Sequence, residues 1–192
     1  MDLVIDTSGV RSALAVLSGD EAREDVRWAR RDDDLGQRAK ALLAGARPER
    51  VLVATGPGSF TSLRAGVSFA VGMALGLQVP LHHVGSLELQ AARSPVPATA
   101  IGEAGRGRLY ALSPGREAIM SALATLDPSL PLVGWVSQAL QAELAARGCV
   151  ILAEDRLRSF SVAARKLAEV APRVEYDRVP VRYLSSFGTL RN

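Results

Sequence analysis

The sequence contains few of the side chains that commonly hold metals or act as nucleophiles. Among its 192 residues there are one cysteine, Cys149, and two histidines, His82 and His83. One cysteine cannot form an internal disulfide, and the apolar neighbours of Cys149 predict a buried, inert thiol. Adjacent histidines on a strand point to opposite faces, so they are poorly placed to bind one metal together. Since the chain also lacks a His-x-x-x-His pair and a cysteine cluster, we expect no metal and no cofactor.

A long apolar run and a strong charge of one sign are missing as well. The longest apolar run, 65–77, falls short of the roughly 18 residues that span a bilayer, and no leader-like segment opens the chain. We therefore expect a cytoplasmic protein with no membrane segment. The net charge of +3 is mild for a nucleic-acid binder, so RNA contact would be weak or indirect. Acidic neighbours dilute the two basic clusters, which are Arg23, Arg27, Arg30 and Arg31, and Arg156 and Arg158.

The first half of the chain alternates strand-like and helix-like segments. Strands predicted at 3–5, 12–17 and 22–28 form a meander, and helix 34–44, strand 51–54, helix 60–77 and strand 79–84 follow. Connections through helices require parallel pairing on one side of the sheet. The pattern predicts an α/β lobe with a mixed sheet, spanning residues 1–96 in the order βββαβαβ.

The second half repeats this order loosely. Strands are predicted at 98–101, 108–112 and 131–135, a helix begins at the cap Ser137, and a last helix begins at the cap Ser159. The segment 149–153 between those helices is apolar. Pro95 and Pro97 mark the predicted boundary, so residues 97–192 are assigned to a reduced C-terminal lobe.

A glycine-rich segment joins the strand at 51–54 to the helix at 60–77. Its residues are Thr55, Gly56, Pro57, Gly58, Ser59, Phe60, Thr61, Ser62, Leu63 and Arg64. A helix N-terminus with free amides, hydroxyls and an arginine can bind phosphate, but a strand-to-helix turn needs the same residues. The spacing matches neither a Walker loop nor the dinucleotide fingerprint. Asp6, Thr7 and Ser8 allow two similar interpretations, a phosphate and magnesium site or a tight turn.

The helix at 60–77 is apolar on every side. Small residues recur at four-residue spacing in one row, Ser62, Gly66, Ala70 and Ala74, and Gly72 and Gly76 form a second row. Rows of small residues let another helix approach closely, and close packing would offset the glycines' cost of up to about 1 kcal/mol each. The helix is either a central core helix or one buried half in its own chain and half in a partner.

Several of these segments together resemble the TsaB (YeaZ-like) family. The resemblance rests on Val4-Ile5-Asp6-Thr7-Ser8, on Gly56-Pro57-Gly58-Ser59-Phe60-Thr61-Ser62-Leu63-Arg64, on Val79-Pro80-Leu81 with Val84-Gly85-Ser86-Leu87-Glu88, and on the tail Val179-Pro180-Val181-Arg182-Tyr183-Leu184. The second of these motifs is the most specific. The resemblance implies an actin-like ATPase (ASKHA, ribonuclease H-like) fold of two lobes, each with a mixed β-sheet flanked by helices.

The resemblance also implies a function. A TsaB-like protein is a non-catalytic subunit that pairs with TsaD, which transfers a threonylcarbamoyl group to the tRNA adenosine beside the anticodon. The ATPase TsaE docks on that pair, and a TsaB-like chain alone can form a homodimer. The expected interface comes from the two helices of the first lobe, with Leu35, Ala39, Leu42, Ser62, Leu63, Gly66, Phe69, Ala70, Met73 and Ala74 facing TsaD.

The sequence departs from the family pattern at three places. The family's histidine-serine opening of the first helix is replaced by Arg30-Arg31-Asp32-Asp33-Asp34-Leu35, and its Asp-Ala-Arg-Arg-type hairpin by Glu103-Ala104-Gly105-Arg106-Gly107-Arg108. Ser62 stands where the family has glycine before Leu-Arg. Two other hypotheses stay open: an actin-like enzyme that binds ATP around Asp6 and Gly56, and a glycoprotease-type metallopeptidase.

Overall fold

The computed structural model describes residues 1–28 and 34–184. The strands are β1 (Asp2–Asp6), β2 (Arg11–Ser18), β3 (Glu21–Trp28), β4 (Arg50–Ala54), β5 (Leu81–Val84), β6 (Thr99–Gly105), β7 (Arg108–Leu112), β8 (Ile119–Ala122), β9 (Leu132–Val133) and β10 (Arg173–Val174). The α-helices are α1 (Leu35–Leu43), α2 (Phe60–Leu77), α3 (Ser86–Arg93), α4 (Gln138–Ala146) and α5 (Phe160–Ala168). The segment 30–35, where the sequence departs from the family pattern, is described only in part, because residues 30–33 lie outside the described residues.

The larger sheet has six strands in the order β10-β5-β4-β1-β2-β3. It is mixed, because β1 pairs antiparallel with β2 and parallel with β4. Alternation along β1 sorts its side chains between two layers. Leu3 and Ile5 pack with α1 and α2 on one face, whereas Val4 packs with α5 and part of α3 on the other. Strands β1, β2 and β4 are therefore buried on both faces of the sheet, which explains their continuous apolar runs.

The smaller sheet has four strands in the order β8-β7-β6-β9. It is also mixed, since β6 is antiparallel to β7 and parallel to β9. Leu87 of α3 packs on one face with Ala100 and Val133, and Leu144 of α4 packs on the other with Ile101 and Leu109. The predicted fold class, with two mixed sheets each flanked by helices, is confirmed.

The end of the chain does not stay with the smaller sheet. Helix α5 packs against β2 and β3 through Phe160 and Ala164, and β10 joins the larger sheet beside β5. The assignment of all of 97–192 to one C-terminal lobe therefore needs correction, because residues 160–174 return to the first lobe. The return brings the segment that follows β10 close to the start of α2.

Three elements were not predicted. Helix α3 follows β5 after one residue, Gly85, and its eight residues are too short to give a clear helical pattern. Strand β8 and the two-residue β10 are held by pairing with β7 and β5 rather than by an apolar pattern of their own. The predicted strand 131–135 shortens to β9, and the apolar segment 149–153 meets β9 only through a bridge between Leu132 and Ile151.

Helix α2 packs across β4 and β1, and most of the residues in this contact are small. Leu63, Gly66, Ala70 and Ala74 are the buried positions of this helix. A Cβ on Gly66 would lie 2.1 Å from Thr7 Oγ1, in the turn that follows β1, so only hydrogen fits there. The helix axis can therefore come close to the sheet at this point.

By length and composition α2 is the one helix, among the residues that the structure describes, that could cross a membrane. The apolar run of 13 residues is shorter than the helix, because the helix also contains Thr61, Ser62 and the lone Arg64. These three residues do not offset the apolar character of the others. Only 22% of this helix is buried. We interpret α2 as a helix with one side on its own sheet and the other side left for another surface.

The two kinds of glycine in α2 predict opposite effects of the same substitution. Gly66→Ala should destabilise the fold by about 2 kcal/mol, since the methyl group overlaps Thr7. Gly72→Ala should stabilise it by about 0.5–1 kcal/mol, because nothing lies within 4 Å of the added Cβ and alanine is the better helix former. Urea unfolding of both variants measures the difference. Equal effects of the two substitutions would contradict the close contact between Gly66 and Thr7.

Candidate functional site

Three of the segments that carry the family resemblance meet at the N-terminal end of α2. They are the turn after β1 with Asp6, Thr7 and Ser8, the glycine-rich segment 55–64, and the tail 179–184. The turn and the glycine-rich segment join directly, because Thr7 Oγ1 donates to the Ser62 carbonyl at 2.6 Å and the Ser59 N–H donates to the Ser8 carbonyl at 2.8 Å. Residues 55 and 51 positions apart in sequence are thus held in one unit.

The glycines of the segment are explained by this contact. A Cβ on Gly58 would lie 2.4 Å from the Ser8 carbonyl oxygen, and one on Gly56 would lie 2.8 Å from the Arg182 carbonyl oxygen. Two amides that an anion would need are already used, since the Gly56 N–H donates to Ser86 Oγ and the Ser59 N–H to Ser8. Of the two interpretations, the structural turn is the better supported.

The tail forms what we call the terminal strap, residues 179–184. The Arg182 N–H donates to the Thr55 carbonyl at 2.8 Å, and its side chain pairs with Glu88 at 3.2 Å. The Tyr183 ring lies 5.2 Å from the Phe60 ring, and its hydroxyl accepts a hydrogen bond of 3.0 Å from Arg64 Nε. The strap therefore lies across the first turn of α2.

The side of α2 that faces away from the sheet is exposed and almost uncharged. We call it the outer face of α2. Its residues are Phe60, Thr61, Arg64, Ala65, Ser68, Gly72, Leu75 and Gly76. Phe60 and Leu75 are 54% and 57% exposed, and, apart from the adjoining residues and the helix's own backbone, no atom lies within 4 Å of a Cβ built on Gly72 or Gly76. Nothing in the described chain compensates for these two glycines, which cost about 1 kcal/mol each in a helix.

The predicted interface residues divide into two groups. Leu63, Gly66, Ala70, Ala74 and Ala39 are buried in the chain's own core, so the prediction that they face a partner needs correction. Leu35, Leu42, Ser62, Phe69 and Met73 are partly exposed at the borders of α1 and α2. The sequence revealed two rows of small residues but not which row faces the sheet. That choice depends on Thr7, which fits against Gly66 and has no counterpart at Gly72.

Helix α1 stands beside α2 on the same face of the sheet and is fixed by a buried arginine. The Arg38 guanidinium donates to Ser12 Oγ at 2.6 Å and pairs with Asp25 at 3.1 Å. Burial alone would raise the pKa of Asp25, but hydrogen bonds and charges from Arg27 and Arg38 outweigh it and hold that pKa below its usual range. The two helices thus form a fixed pair, joined through Ala39, Leu43, Ala70 and Ala74.

A cleft between the two lobes lies beside the turn after β1. Its outer part has a volume of about 540 Å³, and the polar residues among those that line it are Ser8, Ser59, Ser62, Glu103 and Tyr110. Its inner part, beside Asp6, measures about 20 Å³, which is room for one water and not for a nucleotide. Asp6 is buried, and this burial raises the pKa of its carboxyl despite hydrogen bonds from Ser8.

The remaining candidate ligands are dispersed. His82 Nδ1 lies 2.8 Å from the Ala171 carbonyl, and His83 Nδ1 lies 3.4 Å from Thr55 Oγ1, so the two rings contact different segments. Burial and the charge of Arg182 lower the pKa of His83. Cys149 is buried in the core of the smaller sheet. Within residues 1–28 and 34–184 no three His, Cys, Asp or Glu side chains are grouped as metal ligands would be.

Part of the chain matches a known protein family. The model of a family described as TsaD, tRNA N6-adenosine threonylcarbamoyltransferase, matches residues 39–128, which is less than half of the chain. A search of curated proteins gives no match.

Solved structures match over nearly the whole chain. YeaZ from Pseudomonas aeruginosa matches with a TM-score of 0.72 at 19% identity, over 95% of this chain and 99% of that chain. A structure described as an uncharacterized protein with similarity to peptidase YEAZ from Pseudomonas aeruginosa matches with a TM-score of 0.70 at 20% identity, over 96% and 99% of the two chains. At such identities the likeness establishes a common fold.

The environment of Asp6 predicts a pH dependence of stability. Because its pKa is raised in the folded chain, the neutral carboxyl is favoured there, and this contribution is lost as pH rises through the folded pKa. Asp6→Asn keeps an oxygen for the Ser8 N–H and carries no charge, so it should be more stable than the parent at pH 7. The difference should shrink as pH falls towards 4. Urea unfolding across this range checks it, and a less stable variant at pH 7 would contradict it.

Proposed function

We propose that this chain, which is TsaB-like in its motifs and YeaZ-like in its fold, acts in threonylcarbamoyl modification of the tRNA adenosine beside the anticodon. In this proposal it is a non-catalytic subunit that binds and supports a TsaD-like transferase. The observation that carries the proposal is the outer face of α2, an exposed helical surface with small and apolar residues and a single charge.

The physical argument concerns what such a surface is suited to contact. Gly72 and Gly76 reduce helix propensity and fill no tight space within the chain. Their lack of side chains lets a partner helix approach closely, where dispersion contacts are most numerous. Leu75 and Phe60 stand at opposite ends of this shallow surface and would be covered by the same partner. A contact of this kind would offset the free energy that the two glycines cost the helix.

The partner role is better supported than catalysis by this chain. The match of residues 39–128 to the TsaD family model is compatible with a catalytic subunit as well. The described residues, however, present no grouped metal ligands, and the Asp6 carboxyl is buried beside an inner cleft of about 20 Å³. A carboxylate that binds magnesium and nucleotide would need to be reachable by both. These observations also disfavour the ATP-binding and metallopeptidase hypotheses.

The wider assembly follows from the same proposal. A TsaE-like ATPase would join the pair, with tRNA contact through this subunit indirect or weak and the complex located in the cytoplasm. When the TsaD-like subunit is absent, a second copy of this chain would cover the outer face of α2 and give a homodimer. The two pairings use one surface, so they would exclude each other.

Two half-exposed aliphatic residues on opposite sides of the larger sheet provide a matched test. Leu75→Arg places a charge on the outer face of α2, where residue 75 is 57% exposed, and should weaken binding of the TsaD-like subunit from the same organism at least tenfold. Val162→Arg places the same charge on α5, where residue 162 is 49% exposed, and should leave binding unchanged. Isothermal titration calorimetry gives both dissociation constants.

Circular dichroism and thermal unfolding serve as the control for folding, since both sites lie at the surface. Equal binding by the two variants would remove the outer face of α2 as the interface. Loss of binding in Val162→Arg alone would move the interface to the opposite face of the sheet.

A further inference from the structure

Arg64 is the one charged residue in α2, and it lies on the outer face among uncharged neighbours. Its guanidinium stacks over the Phe60 ring at 3.8 Å from the ring centre, and its Nε donates to the Tyr183 hydroxyl. No carboxylate within residues 1–28 and 34–184 forms an ion pair with it. In this part of the chain its charge therefore meets the Phe60 ring but no carboxylate.

The guanidinium is held in place before any partner arrives. Phe60 and Tyr183 pack against each other and border it, and the strap that carries Tyr183 is fixed in turn by Arg182 through Thr55 and Glu88. An arginine restrained in this way loses less rotamer freedom on binding than a free one. Its terminal nitrogens remain available, because the Tyr183 hydroxyl occupies Nε only.

A partner that covers the outer face of α2 would remove water from this cation. Burying an unpaired guanidinium is costly, whereas a carboxylate placed against its two terminal nitrogens turns that cost into a charge-assisted contact. We propose that Arg64, held by Phe60 and Tyr183, binds an acidic side chain of the TsaD-like partner. The terminal strap then forms part of the surface that the partner contacts. This inference rests on the proposed function.

The same contact would distinguish that partner from a second copy of this chain. Two α2 helices brought face to face carry two Arg64 guanidiniums and no carboxylate, since α2 contains neither Asp nor Glu. In such a pair α2 offers neither guanidinium a carboxylate, whereas an acidic partner gains attraction at this point. Arg64 thus favours the heterodimer over the homodimer.

The test compares arginines inside and outside the proposed contact. Binding of the TsaD-like subunit is measured by calorimetry at two salt concentrations for the parent chain, Arg64→Ala, Arg64→Lys and Arg147→Ala, a surface arginine of α4's C-terminal end. Arg64→Ala should raise the dissociation constant about 30-fold and reduce its salt dependence. Arg64→Lys should retain part of the affinity, and Arg147→Ala should match the parent.

Tyr183→Phe separates the role of the strap from that of the charge. It keeps the ring against Phe60 and removes only the hydroxyl that holds Arg64, so we expect a loss of a few-fold. A charge exchange then identifies the partner residue: Arg64→Glu should lose binding, and one Asp or Glu to Arg substitution in the TsaD-like subunit should restore it.

The outcomes separate this inference from the proposed function. If Leu75→Arg abolishes binding and Arg64→Ala stays within twofold of the parent, the carboxylate contact is refuted and the interface stands. If neither variant changes the affinity, or the parent does not bind, both the interface and the contact are refuted. Restoration by charge exchange supports both.

Discussion

The close approach of α2 to the turn after β1 determines most of what this molecule presents to its surroundings. Gly66 leaves room for Thr7, Gly58 leaves room for Ser8, and Thr7 Oγ1 bonds the Ser62 carbonyl. A helix 18 residues long is thereby fixed in its rotation about its own axis by contacts in its first two turns. Once that rotation is set, the identity of every inward and outward residue further along follows from the helical repeat.

The fixed rotation divides two chemically similar rows of small residues into different roles. One row packs against the chain's own sheet, and the other, with Gly72 and Gly76, remains open to a partner. The strap adds to this surface from the far end of the sequence by placing Tyr183 against Phe60 and Arg64. The cleft between the lobes is narrow beside Asp6, whereas the outer face of α2 is open along the length of the helix.

Much of this arrangement was predictable from sequence because it follows from local periodicity. The apolar β1 and β4, the glycine-rich turn and the long α2 were each predicted within a few residues. The two features that decide the site were not local. Which glycine row faces the sheet depends on Thr7, more than fifty residues away, and Tyr183 reaches α2 only because β10 returns to the larger sheet. Short elements such as α3 carry too few residues for a periodic signal.

The most direct measurement of the central claim is side-chain footprinting by hydroxyl radicals, with and without the TsaD-like subunit. Phe60, Leu75 and Tyr183 are about half exposed in the free chain and should become protected in the complex, while Val162 and Val170 on the opposite side should react as before. Unchanged reactivity at Phe60 and Leu75, with protection appearing at Val162 or Val170, would contradict the account.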